Sequence, residues 1–121
     1  MLKGVTKFGP VVRVSNLSES IEFFEKIGFK TNFKWGEPPF YAVMAVEHND
    51  TYGLHLNQKE GVTSDGVGLY FISDEVDAIY EKAKEFGLTI IDPIADQPYG
   101  MRDFSLEGPD KIPVSVGKEI G

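Results

Sequence analysis

The side chains missing from this sequence narrow its chemistry before those present do. There is no cysteine, which removes disulfides, thiolate metal ligands and cysteine nucleophiles. The two histidines are His48 and His55. His48 falls in the turn-like run His48-Asn49-Asp50, whereas His55 sits in the alternating stretch Tyr52-Gly53-Leu54-His55-Leu56-Asn57. Alternation places the His55 imidazole on the face opposite Leu54 and Leu56. There it can stack on a ligand, hydrogen-bond it or sense pH; an exposed or internally bonded strand histidine is the plainer alternative. Asp74 and Asp77 have the look of a general-acid pair, but they open a helical pattern and read as helix-start residues that satisfy free amides. Gly66-Val67-Gly68 leads into a strand and lacks phosphate-loop spacing. No Ser-His-Asp order and no paired catalytic carboxylates are found.

Aromatic residues are the richer resource. Phe33, Trp35, Phe40, Tyr41, Tyr70 and Tyr99 lie on or beside strand-like segments, and core packing is the alternative for each. Trp35 and Tyr99 border turns rich in glycine and proline, where a strand meets a rim. A flat or cationic ligand gains about 1 kcal/mol per stacking or cation-π contact in such a place. Glu47, Asp103 and Glu107 could add charge near a ligand, although surface solvation is the simpler reading of each. Arg102 and Asp103 are neighbours in a strand, so one side chain points inward and the other outward.

The formal net charge is -7 over 121 residues. A phosphate backbone would be repelled, and no Lys/Arg cluster offsets that repulsion, which argues against a nucleic-acid partner. Hydrophobic residues at 41% and charged residues at 26% give the balance of a soluble globular chain. No apolar run is long enough to span a membrane, and Met1 to Pro10 does not resemble a signal peptide. The expected location is the cytoplasm.

The elements that position these residues occur twice. Val11-Val12-Arg13-Val14 reads as a strand. After Ser15-Asn16, the residues Leu17, Ile21, Phe24 and Ile27 recur at helical spacing until Gly28. Asn16 is the expected cap, with Glu19 at the reciprocal position. Val67 to Ile72 again reads as a strand, followed by Ser73-Asp74, a helical stripe of Val76, Ile79, Tyr80, Ala83 and Phe86, and then Gly87; Asp74 is the expected cap. Material for three strands follows each helix. These are Phe29 to Trp35, Tyr41 to Glu47 and Gly53 to Gln58, then Leu88 to Ile91, Met101 to Leu106 and Val114 to Val116. Gly36-Glu37-Pro38-Pro39, His48-Asn49-Asp50, Asp92-Pro93, Gln97-Pro98-Tyr99-Gly100 and Gly108-Pro109-Asp110 separate or flank them. The fold class is α+β: two βαβββ modules in tandem, about 8–58 and 66–118, within a single domain spanning 1–121, with mixed sheets curling around a cleft. One helix covers one face of a sheet. The other face must pair or enclose a cavity, so function is expected there.

Val11-Val12-Arg13-Val14-Ser15-Asn16-Leu17 through Ser20-Ile21-Glu22-Phe23-Phe24 to Ile27-Gly28-Phe29 resembles the opening module of the vicinal oxygen chelate superfamily, which holds glyoxalases, bleomycin-resistance proteins and dioxygenases. Gln97-Pro98-Tyr99-Gly100-Met101-Arg102-Asp103-Phe104-Ser105-Leu106 with Gly108-Pro109-Asp110 resembles its closing module. The Gln-Pro-aromatic-Gly turn and Pro10 before the first strand look most like the bleomycin-resistance proteins. The resemblance covers nearly the whole chain. It implies an inward Arg102, which would suit an anionic ligand, against the cationic antibiotic that the bleomycin-resistance branch binds.

Enzymes of that superfamily hold a divalent metal through four strand residues, typically His or Glu. Matched by motif, these positions fall on Gly9, His55, Gly68 and Ser115. Glycine offers no side chain and a serine hydroxyl is a poor neutral ligand. The resemblance therefore implies a metal-free small-molecule binding protein of the bleomycin-resistance type, without cofactor or catalytic residue, taking an aromatic or cationic antibiotic. A glyoxalase- or dioxygenase-like enzyme with a non-standard or absent metal site is the alternative, and a regulatory or interaction module without a small ligand is a third. The ligand-binding set is Phe33, Trp35, Phe40, Tyr41, His55, Tyr70, Tyr99 and Arg102. A homodimer is expected, with Pro10 directing Met1 to Gly9 onto the partner and with clefts built from Trp35 and His55 of one chain and Tyr70 and Tyr99 of the other.

Overall fold

A computed structural model describes residues 4, 9–47, 49–62 and 66–121, of which 49–52 are described by their backbone alone. His48 and most of the N-terminal segment from Met1 to Gly9 lie outside the described residues. The chain divides into two compact units, Met1–Val62 and Thr63–Gly121, and each carries one βαβββ module.

The first unit runs β1 (Val11–Val14), α1 (Leu17–Lys26), β2 (Lys30–Gly36), β3 (Pro39–Val46) and β4 (Asn49–Gln58). Its sheet has the order β1-β4-β3-β2, with β1 parallel to β4 and the other pairs antiparallel. The helix forms where expected. Asn16 has extended backbone and its Oδ1 accepts from the Glu19 amide at 3.0 Å. At the far end the Gly28 amide donates to the Glu25 carbonyl and the Phe29 amide to the Phe24 carbonyl, the double bond that closes a helix on a left-handed residue. Leu17, Ile21 and Phe24 face the sheet and bury there with Val12, Val14, Ala42, Met44, Leu54 and Leu56. The Phe24 ring meets Phe29 edge-on at 5.4 Å. Each large aliphatic or aromatic side chain in this layer contributes about 1.5–3 kcal/mol by leaving water.

The second unit repeats the plan: β5 (Leu69–Ile72), α2 (Val76–Glu85), β6 (Ile90–Asp96), β7 (Met101–Glu107), a short 3-10 turn at Pro109–Lys111, and β8 (Pro113–Glu119). The order is β5-β8-β7-β6, again with the first pair parallel. The helix end is the same, Gly87 bonding to Lys84 and Leu88 to Ala83. Val76, Ala83, Phe104, Leu106, Val114 and Val116 form the core, and Tyr80 of α2 packs edge-on against Phe104 at 5.0 Å.

Three local expectations need correction. The cap of α2 is Glu75, whose side chain makes no capping bond; the Ser73 hydroxyl accepts from the Glu75 amide instead of an Asp74 carboxylate. Asp92-Pro93 lies inside β6 and does not end a strand. The ladder between β6 and β7 slips between Asp92 and Ala95, and β6 is an edge strand, where a missing proline amide is tolerated. Asn49 and Asp50 begin β4 instead of a turn. Among the described residues no helix is long and apolar enough to cross a membrane.

Candidate functional site

Each helix covers one face of its sheet, and strand alternation assigns every residue to that face or to the helix-free one. In the first unit Ala42, Met44, Leu54 and Leu56 face α1. The ladder then sets two rows across the helix-free face. One is Phe33, Val43, His55 and Val11; the other is Trp35, Tyr41, Asn57 and Arg13. Phe33 and Trp35 lie stacked, their ring centroids 6.3 Å apart at 25°, and Trp35 is 61% exposed. Tyr41 and His55 are linked across the face, the phenol oxygen lying 2.7 Å from His55 Nδ1, with the two rings edge-on. Among the described residues no side chain hydrogen-bonds His55 Nε2.

The second unit presents corresponding rows. Asp92, Ser105, Ser115 and Tyr70 form one, and Ala95, Asp103, Gly117 and Ile72 the other. Asp103, read from the sequence as a solvated surface charge, is 6% exposed. Its Oδ2 accepts from the Tyr70 hydroxyl at 2.8 Å and from the Tyr99 hydroxyl at 2.7 Å. Tyr70 reaches it by crossing β8 directly over Gly117, where a Cβ would collide with the phenol oxygen. Beside this network Ser105 and Ser115 share a hydrogen bond of 2.7 Å.

The charges follow from this geometry. Desolvation of the hydroxyl end and the bond to Asp103 push the Tyr70 phenol up to about 12. For Tyr99 the Asp103 bond leads, and its phenol also rises. Both therefore stay neutral donors across the physiological range.

Arg102 requires the opposite assignment from the inward one. Its side chain leaves β7 on the α2 side. Nε donates to Asp77 Oδ1 at 3.1 Å, Nη2 to Asp77 Oδ1 at 2.7 Å and Nη1 to Asp96 Oδ1 at 3.0 Å. The guanidinium holds the Asp77 carboxyl below its ordinary range, so Asp77 serves this clamp more than the helix start. Phe40 also departs from the expected set. It alternates with Tyr41 and its ring lies against Gly36. Phe33, Trp35, Tyr41 and His55 thus share one helix-free face, and Tyr70 shares the other with Asp103, to which Tyr99 bonds; Phe40 and Arg102 do not belong with them.

The donor set does not fit the divalent metal that enzymes of the resembled superfamily hold. Gly9 and Gly68 precede β1 and β5. His55 has only Val11 and Val43 as ladder neighbours, and Ser115 has Tyr70 and Ser105. Among the described residues no three of His, Asp and Glu converge. A single imidazole beside neutral oxygens is a weak ligand set.

None of the curated proteins matches the chain in sequence. Solved structures share its fold. A protein of unknown function from Agrobacterium tumefaciens str. C58 superposes with a TM-score of 0.78 at 19% identity, over 98% of both chains. A glyoxalase-related enzyme from Clostridium phytofermentans gives 0.76 at 24% identity, over 98% of this chain and 100% of its own. A bleomycin-binding protein complexed with bleomycin gives 0.75 at 14% identity, over 95% and 99%. Residues 7–116 match a sequence family. With the duplicated βαβββ plan, that match makes the chain a member of the Glyoxalase/Bleomycin resistance protein/Dioxygenase superfamily.

Proposed function

We propose that the protein is a metal-free small-molecule binding protein, of the kind that sequesters an aromatic antibiotic, and that it works in the cytoplasm as a homodimer. The two modules act as a single ligand-binding domain, and Phe33, Trp35, Tyr41, His55, Tyr70 and Tyr99 supply the contacts. The observation that carries this reading is the pair of exposed, stacked rings of Phe33 and Trp35 on a helix-free face, beside a histidine without metal-ligating neighbours. Exposed aromatic surface costs free energy until a flat ligand covers it. The likeness to a bleomycin-binding protein supports the same reading.

Bleomycin is the first probe. Calorimetric binding to the purified protein that weakens at least about tenfold in Trp35→Ala supports the antibiotic form. A thermal-shift screen of aromatic metabolites and antibiotics tests the broader one, since a ligand at ~100 times its dissociation constant adds ~2.7 kcal/mol of stability. Tightly bound stoichiometric Zn, Ni, Fe or Mn would overturn the metal-free part. Light scattering that gives 13.5 kDa at every concentration would overturn the dimer.

One observation favours an enzyme of the same fold instead. The Tyr41 bond to His55 Nδ1 orients an imidazole whose Nε2 is the arm a general base would use. Glyoxalase or dioxygenase turnover that is lost in His55→Ala would establish that reading.

A further inference from the structure

A buried carboxylate ordinarily sits against a cation. Asp103 is 6% exposed, and among the described residues its carboxylate accepts side-chain hydrogen bonds from two neutral phenols, both at Oδ2. Among the described residues no Lys or Arg pairs with it. The nearest cation in sequence, Arg102, is turned to the other face and committed to Asp77 and Asp96. No fully buried side-chain oxygen among the described residues lacks a partner, so Oδ1, to which no described residue donates, is not wholly sealed from solvent. The carboxylate thus has one oxygen saturated and the other open. The rings on either side are open too, Tyr70 at 47% and Tyr99 at 64% exposure.

We infer that Asp103, held by Tyr70 and Tyr99, is the anchor for a protonated amine or guanidinium on the ligand. Oδ1 accepts a charge-assisted hydrogen bond from that group. The faces of the two phenols give it cation-π contact. Ser105 and Ser115 stand in the adjoining row, and once one of these hydroxyls has donated to the other, the second still has a proton to give or a lone pair to offer. Gly117 is part of the device, because any larger residue there would separate Tyr70 from Asp103. The inference rests on the small-molecule reading above and adds the sign of the ligand's charge.

The test uses two probes of equal shape, 2-(aminomethyl)naphthalene and 2-(hydroxymethyl)naphthalene, titrated at pH 7 by calorimetry into the wild-type protein and into Asp103→Asn. The amine is expected to bind wild type about tenfold tighter than the alcohol. Asp103→Asn should erase that preference. Equal binding of the two probes to wild type, or a preference that survives in Asp103→Asn, overturns the anchor while leaving small-molecule binding intact. Binding of neither probe at millimolar concentration overturns both. If Asp103→Asn fails to fold, amide NMR of wild type decides. The amine must shift Asp103, Tyr70 and Gly117 more than the alcohol does, and an equal or distant response overturns the anchor.

Discussion

Arg102 and Asp103 are consecutive in β7 yet serve opposite faces of one sheet. Arg102 ties β7 to α2 and to the edge strand β6 through Asp77 and Asp96, while Asp103 gathers Tyr70 and Tyr99 on the helix-free side. Each side chain enforces the other's direction. A slip of β7 by one residue would carry a guanidinium among the tyrosines and a carboxylate against two others.

Burial and the bond to Asp103 should together delay tyrosine ionisation in the native protein. Tyr70 holds its proton more tightly in the fold, up to about 12 against the ordinary 10.0. Its contribution to stability is therefore complete below pH ~10 and is lost as pH rises through ~12. Absorbance at the phenolate band should show tyrosine titrating late in the native protein. In Asp103→Asn that late component should move toward 10. A native titration with every tyrosine near 10 would contradict the network.

Gly117→Ala tests the crossing of β8. The added methyl occupies the place of the Tyr70 hydroxyl, so Tyr70 must swing away from Asp103. We expect a loss of about 1–3 kcal/mol, as for other overpacked sites, and the same early shift in tyrosine titration as in Asp103→Asn. Denaturant unfolding and the absorbance titration measure the two effects separately.

The two helix starts should respond differently. Asn16→Ala removes an acceptor bonded to the Glu19 amide and should cost about 0.5–2 kcal/mol. Asp74→Ala removes no capping bond, since Ser73 serves that end, and should stay within about 0.5 kcal/mol of wild type. Chemical denaturation of both variants distinguishes this from the symmetrical capping that the repeat suggests.

Face assignment predicts a separation of stability from binding. Leu56→Ala empties a fully buried position against α1 and should cost about 2–5 kcal/mol. Trp35→Ala, on an exposed ring, should leave the unfolding midpoint nearly unchanged while weakening any aromatic ligand. Loss of stability in Trp35→Ala comparable to that in Leu56→Ala would show that the indole belongs to the core.

Much of the architecture was readable from the residues because both helices carry regular apolar spacing and end at Gly28 and Gly87, and the same bond pattern closes each. Local chemistry was harder to read. Asp92-Pro93 has the composition of a turn, but an edge strand absorbs a proline through a register slip, and only pairing reveals which strand is at the edge. Ser73 and Asp74 are both competent caps, and backbone geometry chose the serine. Within the candidate site, alternation tied His55 and Trp35 to their strands but could not say which face the helix would cover. The family resemblance misplaced Arg102, and the ambiguity of faces hid Asp103, whose partners Tyr70 and Tyr99 lie 33 and 4 residues away. The available signal was the adjacency of Arg102 and Asp103, which forces one of them onto the helix-free face.

The parallel pairing of β1 with β4 has a consequence for the order in which a nascent chain gains structure. The β2–β3 hairpin needs only nearby residues and can zip early. Val11 finds its partner in His55 and Val14 in Gln58, so the first strand to leave the ribosome is the last in its sheet to be seated. The same holds for β5, which waits for β8. Each half of the protein is thus locked by its final strand, and a nascent chain whose emerged part stops short of residue 49 would carry a helix and a hairpin without the strand that joins β1 to them.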